Sequence, residues 1–319
     1  MRGLVYEAKM ILKLLGEFKP PRATFSTDQI PDLTGRVIIV TGGNTGIGKE
    51  TVKVLLQHNA KVYMASRSRP KAEAAITELK EETGKEAIFL ELDLADYASI
   101  QKASSEFLSQ EQHLHVLFNN AGLMGCPLDL LGPDDYDLQF FTNVIGPFLL
   151  TKLLLPALVA GKASSPDGHT RVITTSSSGA YLQTINWDTL RDGPARRKIS
   201  SQDLYCQTKS ANTVVSRQLS KRYADQGIVA ISLNPGNIAT ELQRYAPGPV
   251  RSFMHATFLY PVGPGALTQL WAGTMPEALE HNGGFLIPWA RVGECRKEAY
   301  DDALGEKLWT WLEEAVKDK

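Results

Sequence analysis

Two side chains suited to proton transfer, Tyr205 and Lys209, stand four positions apart in the chain. Apolar residues follow them at helical spacing, which predicts a helix with both side chains on one face. A phenol ordinarily has a pKa near ~10 and exchanges protons poorly at neutral pH. Because a neighbouring ammonium favours the phenolate, the pair predicts a lowered pKa for Tyr205 and acid–base chemistry near pH 7. By itself the spacing also fits a helix that merely exposes a Tyr and a Lys.

A glycine-rich segment, residues 41–48 with the sequence TGGNTGIG, joins the first predicted strand to the first predicted helix. Glycines let the backbone turn sharply and approach a pyrophosphate, and the helix amino terminus presents free N–H groups to it. The segment lacks the Gly-Lys-Ser/Thr ending of a P-loop, which disfavours nucleotide hydrolysis. The residues predicted to bind a dinucleotide here are Gly42, Asn44, Gly46, Ile47 and Gly48.

The end of the second predicted strand should distinguish the two nicotinamide dinucleotides. An unmodified ribose is held by a carboxylate at this place, whereas a 2′-phosphate is held by Arg. Residues 61–68 contain no acidic residue, and Arg67 stands just after the strand. The sequence therefore predicts a preference for NADP(H), and the alternative is that Arg67 is only a solvated surface residue.

Two further loops should complete the cofactor site. Asp93 and Leu94 follow the third predicted strand and are expected to contact the adenine. The fourth predicted strand is followed by small residues that let the backbone meet the cofactor. These residues are Asn119, Asn120, Ala121 and Gly122.

Short apolar strands alternate with helical segments from residue 37 onwards. The predicted strands are 37–40, 61–65, 87–92, 116–118, 171–175, 228–233 and 285–287, and the predicted helices are 48–58, 70–82, 97–109, 134–159, 204–226 and 308–316. This alternation predicts an α/β fold, a doubly wound parallel Rossmann sheet of about seven strands with helices on both faces. We expect a single domain over residues 33–319, with a flap over the substrate near 241–283.

Residues 1–32 are predicted to form an amphipathic helix and an extended lead-in. The apolar residues on one helical face are Leu4, Ala8, Ile11, Leu12, Leu15 and Phe18. Two interpretations are open: a helix that packs on the domain or near the substrate mouth, and a weakly membrane-binding interfacial helix. The shortness of the stripe and its few basic residues favour the first. Lys9 and Lys13 interrupt any signal-peptide core, so we expect a cytoplasmic protein, with peripheral membrane contact through residues 1–19 as the alternative.

The composition excludes several classes of protein. A net charge of −1 over 319 residues gives no strong field for nucleic acid. Three widely spaced cysteines argue against a disulfide framework or zinc site and fit a reducing compartment, and no metal site is predicted. The longest apolar run, residues 148–160, is interrupted by Lys152 and Pro156, so no transmembrane helix is expected.

Four motifs in order now give a family resemblance. They are TGGNTGIG at 41–48, NNAG at 119–122, the Ser-rich segment 174–178 and YCQTK at 205–209. Together they closely resemble the short-chain dehydrogenase/reductase family over about residues 33–290. Within it, the chain is most similar to the branch of retinol dehydrogenases and WW-domain oxidoreductases, including fungal relatives.

The resemblance implies a role for each residue of the catalytic group. Tyr205 is the acid and base, and Lys209 lowers its pKa and holds the nicotinamide ribose. Ser177 hydrogen-bonds the substrate oxygen, with Ser176 as the rival because the register of the serines is open by one. Asn143 holds a water in a proton relay with Lys209.

The resemblance also extends to the cofactor and to assembly. Ile238 and Thr240 are implied to contact the nicotinamide carboxamide. Thr174 replaces an Asn found in many relatives, and little effect is expected within a strand. A homo-oligomer is implied, through an interface that includes the helix carrying Tyr205.

The segment after Thr240 suggests an apolar substrate. Its apolar and aromatic residues are Leu242, Tyr245, Val250, Phe253, Met254, Phe258, Leu259 and Tyr260. We therefore expect an NADP(H)-dependent oxidoreductase that transfers a hydride between nicotinamide and a lipid-like, terpenoid, polyketide-derived or aromatic alcohol or carbonyl. The similarity to fungal relatives suggests a role in secondary metabolism. The alternative is a non-catalytic, NADP(H)-sensing interaction module.

Overall fold

The computed structural model describes residues 2–245, 248, 249, 252 and 259–319. Its described residues form one sheet in the order β3-β2-β1-β4-β5-β6-β7-β8, parallel except for the last strand. The strands are β1 (Val37–Thr41), β2 (Lys61–Ser66), β3 (Ile88–Glu91), β4 (Val116–Asn119), β5 (Thr170–Thr175), β6 (Ile228–Leu233), β7 (Phe285–Ile287) and β8 (Arg291–Gly293). The predicted doubly wound parallel sheet is confirmed, and β8 adds an antiparallel edge strand that its short, non-apolar sequence did not indicate.

Helices cover both faces of the sheet. They are α1 (Arg2–Glu17), α2 (Gly46–Gln57), α3 (Arg69–Thr83), α4 (Tyr97–Gln110), α5 (Leu138–Phe140), α6 (Gly146–Gly161), α7 (Ser201–Tyr223), α8 (Val262–Thr274) and α9 (Asp302–Ala315). One apolar core lies between the sheet and α4, α6, α7 and α9, and the other between the sheet and α2, α3 and α8. Strands buried on both faces explain why the sequence shows short, continuous apolar runs.

The helix predicted over 134–159 begins later and breaks earlier than expected. A π-helical turn, Phe141–Ile145, joins α5 to α6, so the irregularity precedes Gly146 and Pro147. A Cβ at Gly146 would lie 2.3 Å from the Leu94 carbonyl oxygen, so glycine lets the helix pass close to the loop after β3. The π-turn carries Asn143, and such turns often mark functional positions.

The helical stretch Leu138–Ser164 is also apolar and long enough to cross a membrane. It has 27 residues and a mean hydropathy of 1.9, which corrects our expectation, based on residues 148–160 alone, that no stretch would be long enough. Its most apolar window is 67% buried, and Phe148, Leu150 and Leu154 belong to the core. A core helix of this kind passes the same length and composition test, so the stretch is weak evidence for a membrane span.

The carboxyl-terminal helices α8 and α9 change two expectations. α8 packs against α2 in the second core. Because α8 begins at Val262, only the residues of 241–283 before Val262 could form a substrate flap. α9 lies across α6 and α7, with Leu308, Trp309 and Leu312 buried. It therefore covers a face of the helix carrying Tyr205, and a homo-oligomer would need a surface that α9 leaves free.

Candidate active site

Tyr205 and Lys209 lie on one face of α7, as their spacing predicts. Ser200 caps the helix by accepting a hydrogen bond from the backbone N–H of Asp203. Both side chains are 4% exposed. The Lys209 Nζ lies 5.6 Å from the centre of the Tyr205 ring and donates a 2.8 Å hydrogen bond to the carbonyl oxygen of Thr175. α7 thus brings the pair to the carboxyl end of β5.

The electrostatics of this pair differ from our expectation. Burial raises the pKa of Tyr205, and a hydrogen bond from Ser177 only partly opposes that shift. Burial likewise lowers the pKa of Lys209 to about 8. In the polypeptide alone, the predicted lowering of the Tyr205 pKa is therefore wrong, because desolvation of the phenolate outweighs the hydrogen bond from Ser177. Both groups are held in environments that disfavour their charged forms.

The structure separates the two candidate serines. The Ser176 hydroxyl is buried and donates a 2.7 Å hydrogen bond to the backbone carbonyl of Lys209. Ser177 accepts a 3.1 Å hydrogen bond from the backbone N–H of Gly179, is half-buried and hydrogen-bonds Tyr205. Its hydroxyl therefore lies beside the phenol, whereas Ser176 ties β5 to α7.

Asn143 is held rigidly between two segments. Its Oδ1 accepts a 2.8 Å hydrogen bond from Leu123 N, and its Nδ2 donates to Leu123 O at 2.9 Å and to Thr208 Oγ1 at 3.0 Å. A Cβ at Gly122 would lie 3.1 Å from Asn143 Oδ1 and 3.6 Å from Lys209 Nζ. The turn after β4 thus brings Asn143 and Lys209 close to one glycine.

The glycine-rich turn has the geometry of a phosphate cradle. Gly42 and Gly46 have positive φ angles of 66° and 53°, which favour glycine. A Cβ at Gly48 would lie 2.2 Å from the Gly42 carbonyl oxygen, so the turn closes only with glycine there. Among the described residues, the Thr45 side chain makes no capping hydrogen bond to α2. The first-turn N–H groups of Gly46, Ile47 and Gly48 therefore lack a side-chain cap, and this amino terminus fits a pyrophosphate.

Thr41, which was not among the predicted site residues, joins the two cofactor loops. Thr41 Oγ1 accepts hydrogen bonds of 3.0 Å from the backbone N–H groups of Asn120 and Ala121 and donates to Phe118 O at 3.1 Å. Asn120 Nδ2 returns a 2.9 Å bond to Thr41 O. The only sequence signal was its place directly before the glycines. Asn44, the remaining predicted residue of this turn, lies half-buried beside it.

Arg67 lies exposed at the end of β2, beside an open cleft also lined by Ser68, Asp93 and Lys102. The neighbouring Arg69 has carboxylates within 3.6 Å (Glu73) and 3.7 Å (Glu91). Across the described part of the chain, Arg67 has no ion pair. Its guanidinium is therefore available to an anion in the cleft.

The two loops after β3 and β4 orient their side chains differently from one another. Asp93 Oδ1 accepts a 2.9 Å hydrogen bond from Ala95 N at the cleft, and Leu94 is buried beside it. Asn119 instead donates a 3.1 Å bond to Thr151 on α6. The Asn119 side chain therefore lies under α6, which does not fit its predicted contact with cofactor; Asn120 and Ala121 make up the cofactor side of this loop.

Ile238 and Thr240 follow β6 in a segment that faces the glycine-rich turn. A Cβ at Gly46 would lie 3.1 Å from Thr240 Cγ2. The Ile238 side chain packs on Gly265 of α8, and its carbonyl accepts a 3.0 Å hydrogen bond from Gln243. Thr240 thus faces the cofactor turn, whereas Ile238 can contribute mainly through its backbone.

Only part of the predicted apolar flap belongs to the described residues. Leu242 and Tyr245 lie in the turn Glu241–Tyr245, and Tyr245 Cβ comes within 4.0 Å of a Cβ built on Gly125. The Tyr260 ring packs edge-on against Trp289 at 5.0 Å between ring centres, and Leu259 is half-buried. Val250, Phe253, Met254 and Phe258 lie outside the described residues.

The carboxylate of Glu17, on α1, is buried at the carboxyl edge of the sheet. Glu17 accepts hydrogen bonds from Tyr181 Oη at 2.6 Å and from Asn234 Nδ2 at 2.7 Å. Burial raises the pKa of Glu17, and these two bonds oppose the rise. Tyr181 lies four residues after Ser177, so α1 is tied to the loop that carries the serine. No local pattern indicated this contact, because it joins residues more than 160 positions apart.

A doubly wound sheet with a glycine cradle at its first crossover and a buried Tyr–Lys pair at its carboxyl edge defines a nicotinamide-dependent oxidoreductase. A family model described as short chain dehydrogenase matches residues 36–189. A short-chain dehydrogenase/reductase of Armillaria gallica is 57% identical over 305 residues, covering 96% of this chain and 98% of that protein. The chain belongs to the short-chain dehydrogenase/reductase family, as its motifs predicted.

More distant similarities agree. Retinol dehydrogenase 11 of Mus musculus is 36% identical over 280 residues, which cover 87% of this chain and 85% of that protein. The fold also matches a 3-ketoacyl-(acyl-carrier-protein) reductase from Brucella melitensis complexed with NADH (TM-score 0.62, 23% identity, 80% and 96% of the two chains). It matches a short-chain dehydrogenase from Shigella flexneri complexed with NADP similarly (TM-score 0.63, 23% identity, 81% and 98%). The resemblance to fungal and retinol-dehydrogenase-like relatives is confirmed.

Proposed function

We propose that this protein is an NADP(H)-dependent alcohol dehydrogenase or carbonyl reductase for an apolar substrate. The observation that carries the proposal is the Ser177–Tyr205 hydrogen bond beside the buried Lys209. A protein that only senses the cofactor needs no proton donor, whereas this arrangement places a phenol and a hydroxyl together at the edge where the glycine cradle opens. The non-catalytic sensing module remains the competing hypothesis, and turnover of any carbonyl compound would exclude it.

The residues of the chain account for the proton chemistry. When bound, the nicotinamide supplies or accepts the hydride. In carbonyl reduction Tyr205 donates its phenolic proton to the substrate oxygen, and in alcohol oxidation it accepts that proton. Ser177 donates a hydrogen bond to the same oxygen, which stabilises the charge that develops there. Lys209, protonated below about pH 8, attracts the phenolate that forms and so eases proton loss from Tyr205.

Asn143 fixes the position of the turn after β4 and thereby the approach to Lys209. We propose that it also holds the water through which the Lys209 ammonium exchanges protons with solvent. Its rigid hydrogen bonding to Leu123 and Thr208 supports a positioning role. Asn143→Ala should reduce kcat more than KM, and an unchanged kcat would remove Asn143 from the relay.

The preference for NADP(H) rests on Arg67. Its guanidinium is exposed at the end of β2 and can grip a 2′-phosphate, whereas residues 61–68 offer no carboxylate to an unmodified ribose. The similar structures from Shigella and Brucella are complexed with NADP and NADH respectively, so fold alone does not decide the cofactor.

The test is a fluorescence titration of the wild-type protein and of Arg67→Ala with NADPH and NADH. We expect Arg67→Ala to weaken NADPH binding about 10–100-fold and to leave NADH binding nearly unchanged, because charge-assisted hydrogen bonds contribute about 1.5–3 kcal/mol. Arg69→Ala is the matched control, since Arg69 already has carboxylate partners. Equal affinities of the wild-type protein for both cofactors would reject the NADP(H) assignment.

The apolar substrate class is supported by the aromatic and aliphatic residues near the mouth, including Tyr245, Tyr260 and Trp289. We propose a lipid-like, terpenoid, polyketide-derived or aromatic alcohol or carbonyl, used in secondary metabolism. A panel of aldehydes and ketones graded by chain length should show kcat/KM rising with apolar surface. Higher activity on short polar carbonyls would overturn this class.

The proposed compartment is the cytoplasm. Three buried free cysteines, Cys126, Cys206 and Cys295, support a reducing environment. Imaging of a fluorescent fusion in a fungal cell would test this, and location inside the secretory pathway would contradict it. We also propose a homo-oligomer, through a surface that α9 leaves free, because α9 covers only one face of α7. Light scattering that shows a monomer would contradict it.

A further inference from the structure

The outward face of α1 is apolar. Val5, Ile11, Leu12 and Leu15 are 70%, 49%, 69% and 56% exposed, and Ala8 is exposed between them. At about 100° per residue, these five side chains occupy about one third of the helix circumference. A surface helix of a globular domain normally carries charged residues on the side facing away from its core. In α1 the most apolar side is instead the side exposed to solvent.

The exposed apolar side chains of the protein concentrate around this helix. Ten large apolar side chains are exposed within the described ranges, and four of them belong to α1. Leu182 and Val292, also exposed, lie within two residues of Tyr181 and Glu294, which both contact α1. A group of exposed apolar side chains on one helix face is expected of an interaction site.

The inner face of α1 is fixed to the protein by polar contacts along its length. Arg296 Nη2 lies 3.0 Å from Glu7, Lys13 Nζ donates a 2.6 Å hydrogen bond to Glu294 O, and Glu17 is bound by Tyr181 and Asn234. Rotating the helix to bury its leucines would break these contacts and expose Met10, which is buried. The outward apolar face is therefore a fixed feature of the fold.

Charge and size indicate what covers this face. Lys9 borders it on one side, Glu7 on the other side is paired with Arg296, and Lys19 and Arg22 follow the helix. A positively charged border favours a surface of anionic headgroups. The helix has 16 residues. At about 24 Å by about 10 Å, its strip is roughly a third of the about 800 Å² that each partner buries in a standard protein interface. A second copy of the chain would bury too little here for a stable dimer.

We propose that the outward face of α1 docks on the surface of a lipid bilayer that carries anionic lipids. Val5, Ile11, Leu12 and Leu15 enter the boundary between headgroups and acyl chains, while Lys9 meets the headgroups. The helix lies in the plane of the surface and does not span it. Because Glu17 ties α1 to the loop after Ser177, docking sets the catalytic edge of the sheet beside the lipid phase. Docking itself does not depend on the proposed reaction.

The test is co-sedimentation of the full chain with large vesicles of phosphatidylcholine, alone or mixed with phosphatidylserine, at low and near-physiological salt. Any affinity tag is placed at the carboxyl terminus, so that α1 stays free. We expect partition onto the mixed vesicles to exceed partition onto phosphatidylcholine alone and to weaken with salt. Leu12→Glu combined with Leu15→Glu should reduce partition about tenfold or more, because it places two charges in the apolar face.

The matched control combines Leu108→Glu with Val159→Glu, which changes two exposed apolar residues on α4 and α6. It should sediment like the wild-type protein. NADPH titration of every variant checks that it is folded, so a failure of the proposed reaction and a failure of docking give different results. The proposal is overturned if the wild-type protein stays in the supernatant with both vesicles. It is also overturned if light scattering shows a dimer that the α1 variant dissociates, since the face then belongs to a second copy.

Discussion

A cluster of buried charged side chains lies at each end of the parallel sheet, and the two clusters differ in how fully they are hydrogen-bonded. At the amino end, Arg171 donates hydrogen bonds to Asp167 at 2.6 Å, to Met275 O at 2.8 Å and to Ala272 O at 3.1 Å. At the carboxyl end, Lys209 donates to Thr175 O and has no carboxylate partner within the described ranges. The first arrangement is that of a structural cluster and the second that of a reactive one.

His115 belongs to the amino-end cluster and is hydrogen-bonded through both ring nitrogens. Its Nδ1 accepts a 2.9 Å hydrogen bond from Val37 N, so the proton of the neutral ring lies on Nε2 and faces Ser164 Oγ at 2.9 Å. Burial, with the nearby Arg36, lowers the pKa of His115 to about 4. Both ring nitrogens are used inside the fold, so the neutral ring serves structure and is not free to serve catalysis.

The difference shows that burial by itself does not mark a functional residue. A buried polar group with all its partners stabilises one conformation, whereas a buried group that lacks partners costs stability unless a ligand completes it. The charged forms of Tyr205 and Lys209 are of the second kind: each group has one hydrogen-bond partner, and burial disfavours its charged form. Substitutions at the two ends should therefore have opposite effects on activity and on stability.

The largest expected effect is the loss of activity in Tyr205→Phe. Removing the phenolic proton should lower kcat roughly 10³-fold for any accepted substrate, because general acid–base catalysis typically contributes that much. The free energy of unfolding should change by less than about 1 kcal/mol, since the lost hydroxyl bonds mainly Ser177. Steady-state kinetics and urea unfolding measure the two quantities. A variant that retains most of its kcat would assign the proton to another group.

Arg171→Met should have the opposite effect: it should lower the stability of the protein and leave its activity nearly unchanged. It leaves the Asp167 carboxylate and two backbone carbonyls without their donor, which should reduce the free energy of unfolding by about 3–5 kcal/mol. Arg171 lies near the start of β5, four residues before Thr175 and about 13 Å away. We therefore expect kcat per folded molecule to stay within about twofold of wild type. Urea unfolding and active-site titration at low temperature test this. An Arg171→Met protein as stable as the wild type would contradict a structural role for the cluster.

Lys209→Met should abolish activity and yet stabilise the protein. The folded pKa of Lys209, about 8, lies below its ordinary 10.5, so the unfolded chain binds the proton more tightly. The wild-type protein therefore gains stability as pH rises from about 8 to 10.5 and carries the full cost of the buried charge below pH 8. Removing that charge should raise the free energy of unfolding at pH 7 by about 1–3 kcal/mol.

Urea unfolding of wild type and Lys209→Met at pH 7 and pH 10 measures this difference, which should shrink at the higher pH. Lys221→Met, at an exposed position of the same helix, is the control and should show no such gain. A less stable Lys209→Met protein would mean that Lys209 has structural partners and would remove the contrast between the two ends.

The smallest expected effect is the pH dependence that His115 confers. Its folded pKa of about 4 lies below the ordinary 6.5, so the unfolded chain binds the proton first as pH falls. Stability should therefore drop through the window from pH 6.5 to pH 4, by about 1–2 kcal/mol between pH 7 and pH 5. His115→Asn should flatten this dependence when unfolding is measured at both pH values. An equal drop in both proteins would assign the effect to other groups.

Local patterns in the sequence predicted the seven parallel strands, the glycine-rich cofactor turn and the position of the Tyr–Lys pair. Apolar runs of strand length alternating with helices can be read locally, and so can Tyr205 and Lys209 one helical turn apart. The role of the glycines in 41–48 could also be predicted from the sequence. A close approach such as that of Gly48 to Gly42 O excludes any side chain, and this does not depend on the rest of the fold. These features depend on neighbours in the chain.

Other features were decided only by the tertiary structure, because they join distant segments or depend on burial. The burial of Tyr205 reversed the predicted direction of its pKa, and hydrogen bonds across 32 positions or more turned Ser176 toward α7 and Asn119 toward α6. Glu17 meets its partners from more than 160 positions away. Desolvation and long-range hydrogen bonding have no local pattern, so a sequence can show which groups are able to react and not how its own fold surrounds them.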